Sequence, residues 1–249
     1  MGEPWMSEDF DIDGISDFDS QLDLTIYANQ EELVREVSAQ ALQVIEDRLL
    51  SHGIFHLVLT GGTLGNAISA SLVSTWNQAP EMYSGLQIWW SDERFVASDS
   101  DERNAYPLHG KLLNSNITVH ESIASDSGKS ISDAVIDYQS ALDDVVIDLN
   151  ILGLGPDGHV ASLFPGTADL DDERDIFAIT DSPKPPSARI SFTMNFINQG
   201  REVWIVAAGE SKADAVAKII EGDTSIPASY VSAVERTRLM LDQAAFLAD

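Results

Sequence analysis

The sequence predicts an α/β protein with a mostly parallel sheet, flanked by helices on both faces, and some additional smaller strands. Three observations predict it. Short apolar runs such as Phe55 to Leu59 and Leu86 to Trp90 have the length and composition of buried strands. Longer segments with helical spacing lie between them, as in Leu64 to Trp76. Glycine-rich loops join strand ends to helix starts, which is the alternation expected of βαβ units.

In chain order, Leu22 to Tyr27 reads as the first strand. Asn29 then caps a long helix, with Glu32 at the capping-box position. Leu33, Val34, Val37, Leu42, Val44, Ile45 and Leu49 form its apolar side, and Gly53 ends it. Strand Phe55 to Leu59, helix Leu64 to Trp76 and strand Leu86 to Trp90 follow. The second half repeats the theme with strand Leu149 to Leu152, a short helix after His159, and strand Phe177 to Thr180. Strand Val203 to Ala207, helix Ser211 to Ile220, a strand near Arg238 to Leu241 and a last short helix complete the series.

Residues 1 to 21 carry seven acids and neither Lys nor Arg, so they read as an acidic, mobile leader. Residues 22 to 249 are expected to form one catalytic α/β domain. The formal net charge of −27 argues against nucleic acid and anionic membranes as partners, because the field repels polyanions. No apolar run approaches the roughly 20 residues that span a bilayer, and a soluble cytoplasmic protein is expected. With no cysteine, thiolate chemistry and Cys-ligated metals are excluded. Only 14 residues are Lys or Arg, so any converging cations are informative.

Ligands of open α/β sheets bind beyond the carboxyl ends of the strands, so four loops matter most. Thr60-Gly61-Gly62-Thr63-Leu64-Gly65 joins a buried strand to a helix. Its amides and hydroxyls suit a phosphate, although the same residues would serve a plain turn. It lacks a P-loop lysine and the dinucleotide glycine spacing. Trp90-Ser91-Asp92-Glu93-Arg94-Phe95 places an acid and a cation at a strand end, where Asp92 can orient a hydroxyl and Arg94 an anion. A solvated ion pair would look the same. The near-echo Ser100-Asp101-Glu102-Arg103-Asn104 reads as loop.

The third loop, Gly153-Leu154-Gly155-Pro156-Asp157-Gly158-His159, turns tightly off a strand and delivers a histidine to its tip. Histidine takes a proton from water near neutral pH. His52, His56, His109 and His120 have no comparable setting, and no second His or Cys sits at metal-ligand spacing. Finally, Arg189 and Lys212 stand beside strand ends, where they can hold a terminal phosphate or simply decorate the surface.

Together, and in this order, these motifs resemble the 6-phosphogluconolactonase family from about Leu22 onward. The most specific piece is Gly155-Pro156-Asp157-Gly158-His159 continuing into Ala161-Ser162-Leu163-Phe164-Pro165. The resemblance implies a Rossmann-like fold shared with glucosamine-6-phosphate deaminases, no metal and no organic cofactor. It implies hydrolysis of 6-phospho-D-glucono-1,5-lactone, a small sugar-phosphate substrate; a monomer or weak homo-oligomer is expected. His159 corresponds to the family's catalytic histidine, and Asp92 and Arg94 to its Asp-Glu-Arg motif. Thr60, Gly61, Gly62 and Thr63 correspond to the sugar-phosphate loop, with Arg189 and Lys212 as its cations.

One departure is Leu64-Gly65 where the family commonly has a proline, which predicts altered loop stiffness. A deaminase is the nearest alternative, but Ser162-Leu163-Phe164-Pro165 lacks the acid such enzymes carry after the histidine. A non-catalytic sugar-phosphate sensor would need a DNA-binding module, which the acidic leader is too short to supply.

Overall fold

In the computed structural model, which describes residues 22–166 and 169–246, the strands are β1 (Leu22–Tyr27), β2 (Phe55–Leu59), β3 (Leu86–Trp90), β4 (Asp92–Arg94), β5 (Thr118–Val119), β6 (Leu149–Gly153), β7 (Ile176–Ile179), β8 (Arg189–Phe192), β9 (Glu202–Ala207) and β10 (Arg236–Asp242). The α-helices are α1 (Gln30–His52), α2 (Gly62–Gln78), α3 (Ile131–Leu142), α4 (Met194–Asn198), α5 (Ala213–Glu221) and α6 (Gln243–Phe246). The acidic leader lies outside the described residues.

Seven strands form one sheet in the order β1-β10-β9-β6-β2-β3-β5, and every neighbouring pair is parallel. The chain runs outward from β2 to β3 and β5, but from β6 to β9 and β10 in the opposite direction. The junction of β2 and β6 is therefore the point where ligand crevices form in such sheets. A second, antiparallel sheet has the order β4-β8-β7.

Alternate residues of each strand enter opposite cores, as the pleat requires. Leu57, Ile88, Ile151, Trp204 and Met240 pack with α1 and α2 residues such as Leu33, Ile45, Ile68 and Leu72. Val58, Trp89, Leu152, Ile205 and Leu241 pack on the other face with α3, α5 and the small sheet. Both faces are covered, which explains strands apolar at nearly every position rather than at every second one.

Local signals account for the helix boundaries. The Asn29 side chain accepts from Glu32 N–H (3.0 Å), and Gly53 closes α1 in the left-handed conformation. Glu32 reaches back to Ala28 N–H rather than to Asn29, so the capping box is displaced by one residue. Helix α3 carries a full box, Ser130 with Asp133, on a segment where no element is expected. Helix α5 begins at Ala213, after a single 3₁₀ turn at Glu210–Lys212.

Two expectations are corrected. No helix follows His159: Val160 and Leu163 form an isolated antiparallel bridge. Positive φ at Gly158 (82°) and Ala161 (49°) is incompatible with a right-handed helix. The strand near Phe177 exists, shifted by one residue, but it belongs to the small sheet. No helix among the described residues is long and apolar enough to cross a membrane.

Gly65 has a packing role. A Cβ there would stand 2.3 Å from the Thr60 carbonyl oxygen and 2.8 Å from its carbon, backbone that cannot move aside. Gly65→Ala is expected to lower stability by about 1–3 kcal/mol, the usual cost of overpacking. Urea unfolding checks this, and an unchanged midpoint would contradict the packing account.

Candidate active site

The parallel strands β2, β3, β6 and β9 end at one edge, and their following loops converge there. Thr60 Oγ accepts from Gly153 N–H (3.2 Å) and so ties the ends of β2 and β6 together. Between these loops lies a cleft of about 180 Å³. Thr60, Gly61, Gly62, Asp92, Arg94, His159, Arg189 and Lys212 all line it. Thr63 does not: it lies in the first turn of α2 and is exposed.

Gly61 precedes the first turn of α2, which has no side-chain cap, so backbone N–H groups at this helix start remain available for an anion. Gly62 takes φ 76°, a conformation that suits glycine.

His159 is placed by its own loop. Gly155 N–H donates to the His159 carbonyl (2.9 Å), and Gly158 N–H to that of Gly155 (3.0 Å). A Cβ at Gly155 would fall 1.9 Å from His159 Nδ1, so a side chain there would displace the ring. Phe164 supports the imidazole with its ring centroid 4.6 Å away.

The His159 ring makes a close polar contact with Asp157 Oδ1 at 2.5 Å from Nδ1. Lys184 Nζ lies 3.0 Å from Asp157 Oδ2 and 3.1 Å from His159 Nδ1. Burial pushes the Asp157 carboxyl upward, but hydrogen bonds from His159 and Lys184 outweigh this and bring its pKa down to about 2. An ionised Asp157 accepts, so Nδ1 carries the proton and Nε2 is left as the basic nitrogen. Burial holds the His159 pKa below its ordinary value, with Asp157 opposing that shift and Lys184 adding to it. The neutral form of the ring is thereby favoured.

Asp92 is buried at the start of β4. Its Oδ1 accepts from Asn104 Nδ2 (3.0 Å) and its Oδ2 from Ser162 Oγ (2.6 Å), with Arg189 Nη1 3.7 Å away. Arg189 is itself largely occupied. Its Nε donates to the Pro186 carbonyl (2.9 Å), and its Nη2 to those of Lys184 (3.0 Å) and Pro185 (3.2 Å). It thus anchors the segment that carries Lys184. Arg94 Nη1 donates to the Glu102 carbonyl (2.6 Å). Burial lowers the Lys212 pKa, and neighbouring Lys184 adds to this.

Glu93, between the two expected site residues, organises a loop. Its carboxylate accepts from the N–H groups of Arg94, Asn104 and Ala105 at 2.7–3.0 Å. Burial pushes this carboxyl above the ordinary range, against Arg103 and the three N–H donors. The Ser100–Asn104 echo is thereby latched beside the cleft, where Asn104 becomes a lining residue.

Sequence reasoning omitted Asn104 and Lys184 and left Asp157 and Ser162 without roles. Lys184 carried one signal: it is a cation in a Pro-rich turn of a chain with few cations. Among the described residues, no three His, Asp or Glu side chains converge to hold a metal ion.

The charges around His159 give a checkable titration. By NMR, its imidazole should titrate below the ordinary histidine value. Lys184→Met should raise that pKa and Asp157→Asn should lower it. Shifts in the reverse directions would contradict the assigned contacts.

The chain matches the family described as glucosamine-6-phosphate isomerases/6-phosphogluconolactonase over residues 28–240. It is 36% identical over 241 residues to a 6-phosphogluconolactonase of Streptomyces coelicolor, covering 89% of this chain and 92% of that protein. It is 35% identical to the 6-phosphogluconolactonase of Rattus norvegicus, covering 79% and 83%. Among solved structures, a 6-phosphogluconolactonase from Thermotoga maritima is similar in fold, with a TM-score of 0.76 at 24% identity over 90% of this chain and all of that one. A monomeric glucosamine-6-phosphate deaminase shares the fold with a TM-score of 0.73 at 17% identity, over 90% and 98%. By this family match and these relatives, the chain belongs to the glucosamine-6-phosphate isomerase/6-phosphogluconolactonase family.

Proposed function

We propose that this protein hydrolyses 6-phospho-D-glucono-1,5-lactone to 6-phosphogluconate, with His159 as the general base. The observation that carries this reading is the His159 imidazole held by Asp157 at the edge of a cation-lined cleft. Relatives named 6-phosphogluconolactonase in bacteria and rat support it.

In this mechanism the substrate phosphate sits against the Gly61 and Gly62 end of α2, with Lys212 as a point charge. Arg189 contributes through Nη1 and by holding the Lys184 segment in place. His159 Nε2 draws a proton from water as the water attacks the lactone carbonyl carbon. The oxyanion that develops is stabilised by Arg94. Collapse of the tetrahedral adduct breaks the bond from that carbon to the ring oxygen, and the protonated His159 returns its proton to the departing alkoxide. Asp157 keeps the ring oriented and stabilises its cationic form, while Asp92 holds the surrounding side chains.

A deaminase reading has less support. Ser162-Leu163-Phe164-Pro165 carries no acid where the deaminase pattern has one, and Ser162 donates to Asp92. We take residues 22–249 as one catalytic unit and place it in the cytoplasm, where phosphorylated sugars are retained. A free metabolite as sole partner, met by a monomer or weak homo-oligomer, completes the reading. The net charge of −27 supports the omission of nucleic acid.

The test is lactone hydrolysis measured above the spontaneous rate. His159→Ala should lower kcat by about 10²- to 10⁴-fold while 6-phosphogluconate still binds. Turnover at the parental rate would overturn the assignment, and conversion of glucosamine 6-phosphate by the parent would favour the deaminase.

A further inference from the structure

The geometry points to Asn104 as a specificity-determining residue whose amide oxygen accepts a hydrogen bond from a ring hydroxyl of the lactone. This rests on the lactonase reading and deepens it.

Asn104 is 4% exposed, yet it lines the cleft. Its Nδ2 donates to two oxygens of one residue, the Asp92 carbonyl (2.7 Å) and Asp92 Oδ1 (3.0 Å). Turning the amide over would set its oxygen against two acceptors, so its orientation is settled by chemistry. Its backbone N–H is held as well, by Glu93 Oε1 at 2.7 Å. The side chain is therefore fixed at both ends, and Oδ1 can only face the other way.

Oδ1 faces Gly61. A Cβ on that glycine would stand 1.8 Å from it, so Gly61 is the residue that leaves room for the oxygen. No described residue donates to Oδ1. An amide oxygen accepts and never donates. The lactone carbonyl and ring oxygen are acceptors too, and a phosphate monoester is mostly dianionic at neutral pH. The hydroxyls on carbons 2, 3 and 4 of the sugar are the groups that can donate to Oδ1.

Asp92 is the obvious rival for this task, but both of its carboxylate oxygens are already engaged by Asn104, Ser162 and Arg189. Its part is to aim the Asn104 amide. A rigid acceptor of this kind favours one hydroxyl position over its epimer, because ordering costs were met during folding.

The experiment compares kcat/KM for the parent lactone and its 2-, 3- and 4-deoxy counterparts, using the wild-type protein, Asn104→Ala and Asn104→Asp. In the wild type, removal of one particular hydroxyl should cost roughly 3- to 10-fold beyond the others, as expected for one neutral hydrogen bond. In Asn104→Ala that difference should vanish. Asn104→Asp sets an oxygen against both Asp92 acceptors and loses the contact that aims the side chain, so it should lose the difference as well.

A merely structural role would slow all four lactones equally in Asn104→Ala and leave the deoxy pattern intact, and that result overturns the inference. So does a wild type that tolerates loss of each hydroxyl equally, an arm that needs no variant to fold. Wild-type turnover with either result leaves the lactonase reading standing. Absence of wild-type turnover overturns both.

Discussion

The arrangement of the site depends on one buried anion, the carboxylate of Asp92. Removing a carboxylate from water is costly unless donors replace its hydration. Here Asn104 and Ser162 donate to it, and the guanidinium of Arg189, which donates to Ser162 Oγ, lies 3.7 Å away. Each also faces or belongs to something else of consequence. Asn104 presents its oxygen to Gly61, Ser162 belongs to the segment that follows His159, and Arg189 holds the carbonyls of residues 184–186. A single charge thus sets the relative positions of the helix start at Gly62, the histidine loop and Lys184.

The second constraint is electrostatic. The protein carries 41 Asp and Glu against 14 Lys and Arg, so an anionic ligand meets a repulsive surface almost everywhere. Arg94, Arg189 and Lys212 line one cleft of about 180 Å³, and Lys184 contacts the His159 and Asp157 pair at its edge. Gathering like charges is unfavourable: burial lowers the Lys212 pKa, and neighbouring Lys184 adds to it. The cost is offset locally by Asp92, by Asp157 and by backbone carbonyls. The concentration of cations at a strand-end crevice is what the chemistry of a doubly charged phosphate ester requires.

Much of this was legible from local patterns. The long helix from Asn29 to Gly53 carries its own start and stop signals, and the strands at Phe55, Leu86 and Val203 are apolar on both faces because both faces are covered. Helix α3 was missed although Ser130 and Asp133 form a complete capping box, a local signal that is informative even on a partly exposed segment. The helix expected after His159 failed for a local reason with a tertiary cause. Ala161 adopts a positive φ, which its own side chain disfavours, while Ser162 beside it is bound to Asp92 and Ser191.

The sequence by itself determined the α/β class, the scarcity of cations, and the loops that follow β2, β3, β6 and β9, because each of these is written in residue type and short-range spacing. It also isolated His159, since three glycines and a proline specify a turn with few alternatives. Only the tertiary structure decided what the individual charges do. Arg189 and Lys184 are both cations near a turn, yet one is consumed by backbone carbonyls and the other reaches the histidine. Glu93 and Asp92 are adjacent acids, yet one latches a loop and the other gathers the site. Contacts such as the hydrogen bond from Ser162 to Asp92, 70 positions apart, make those distinctions, and no local pattern records them.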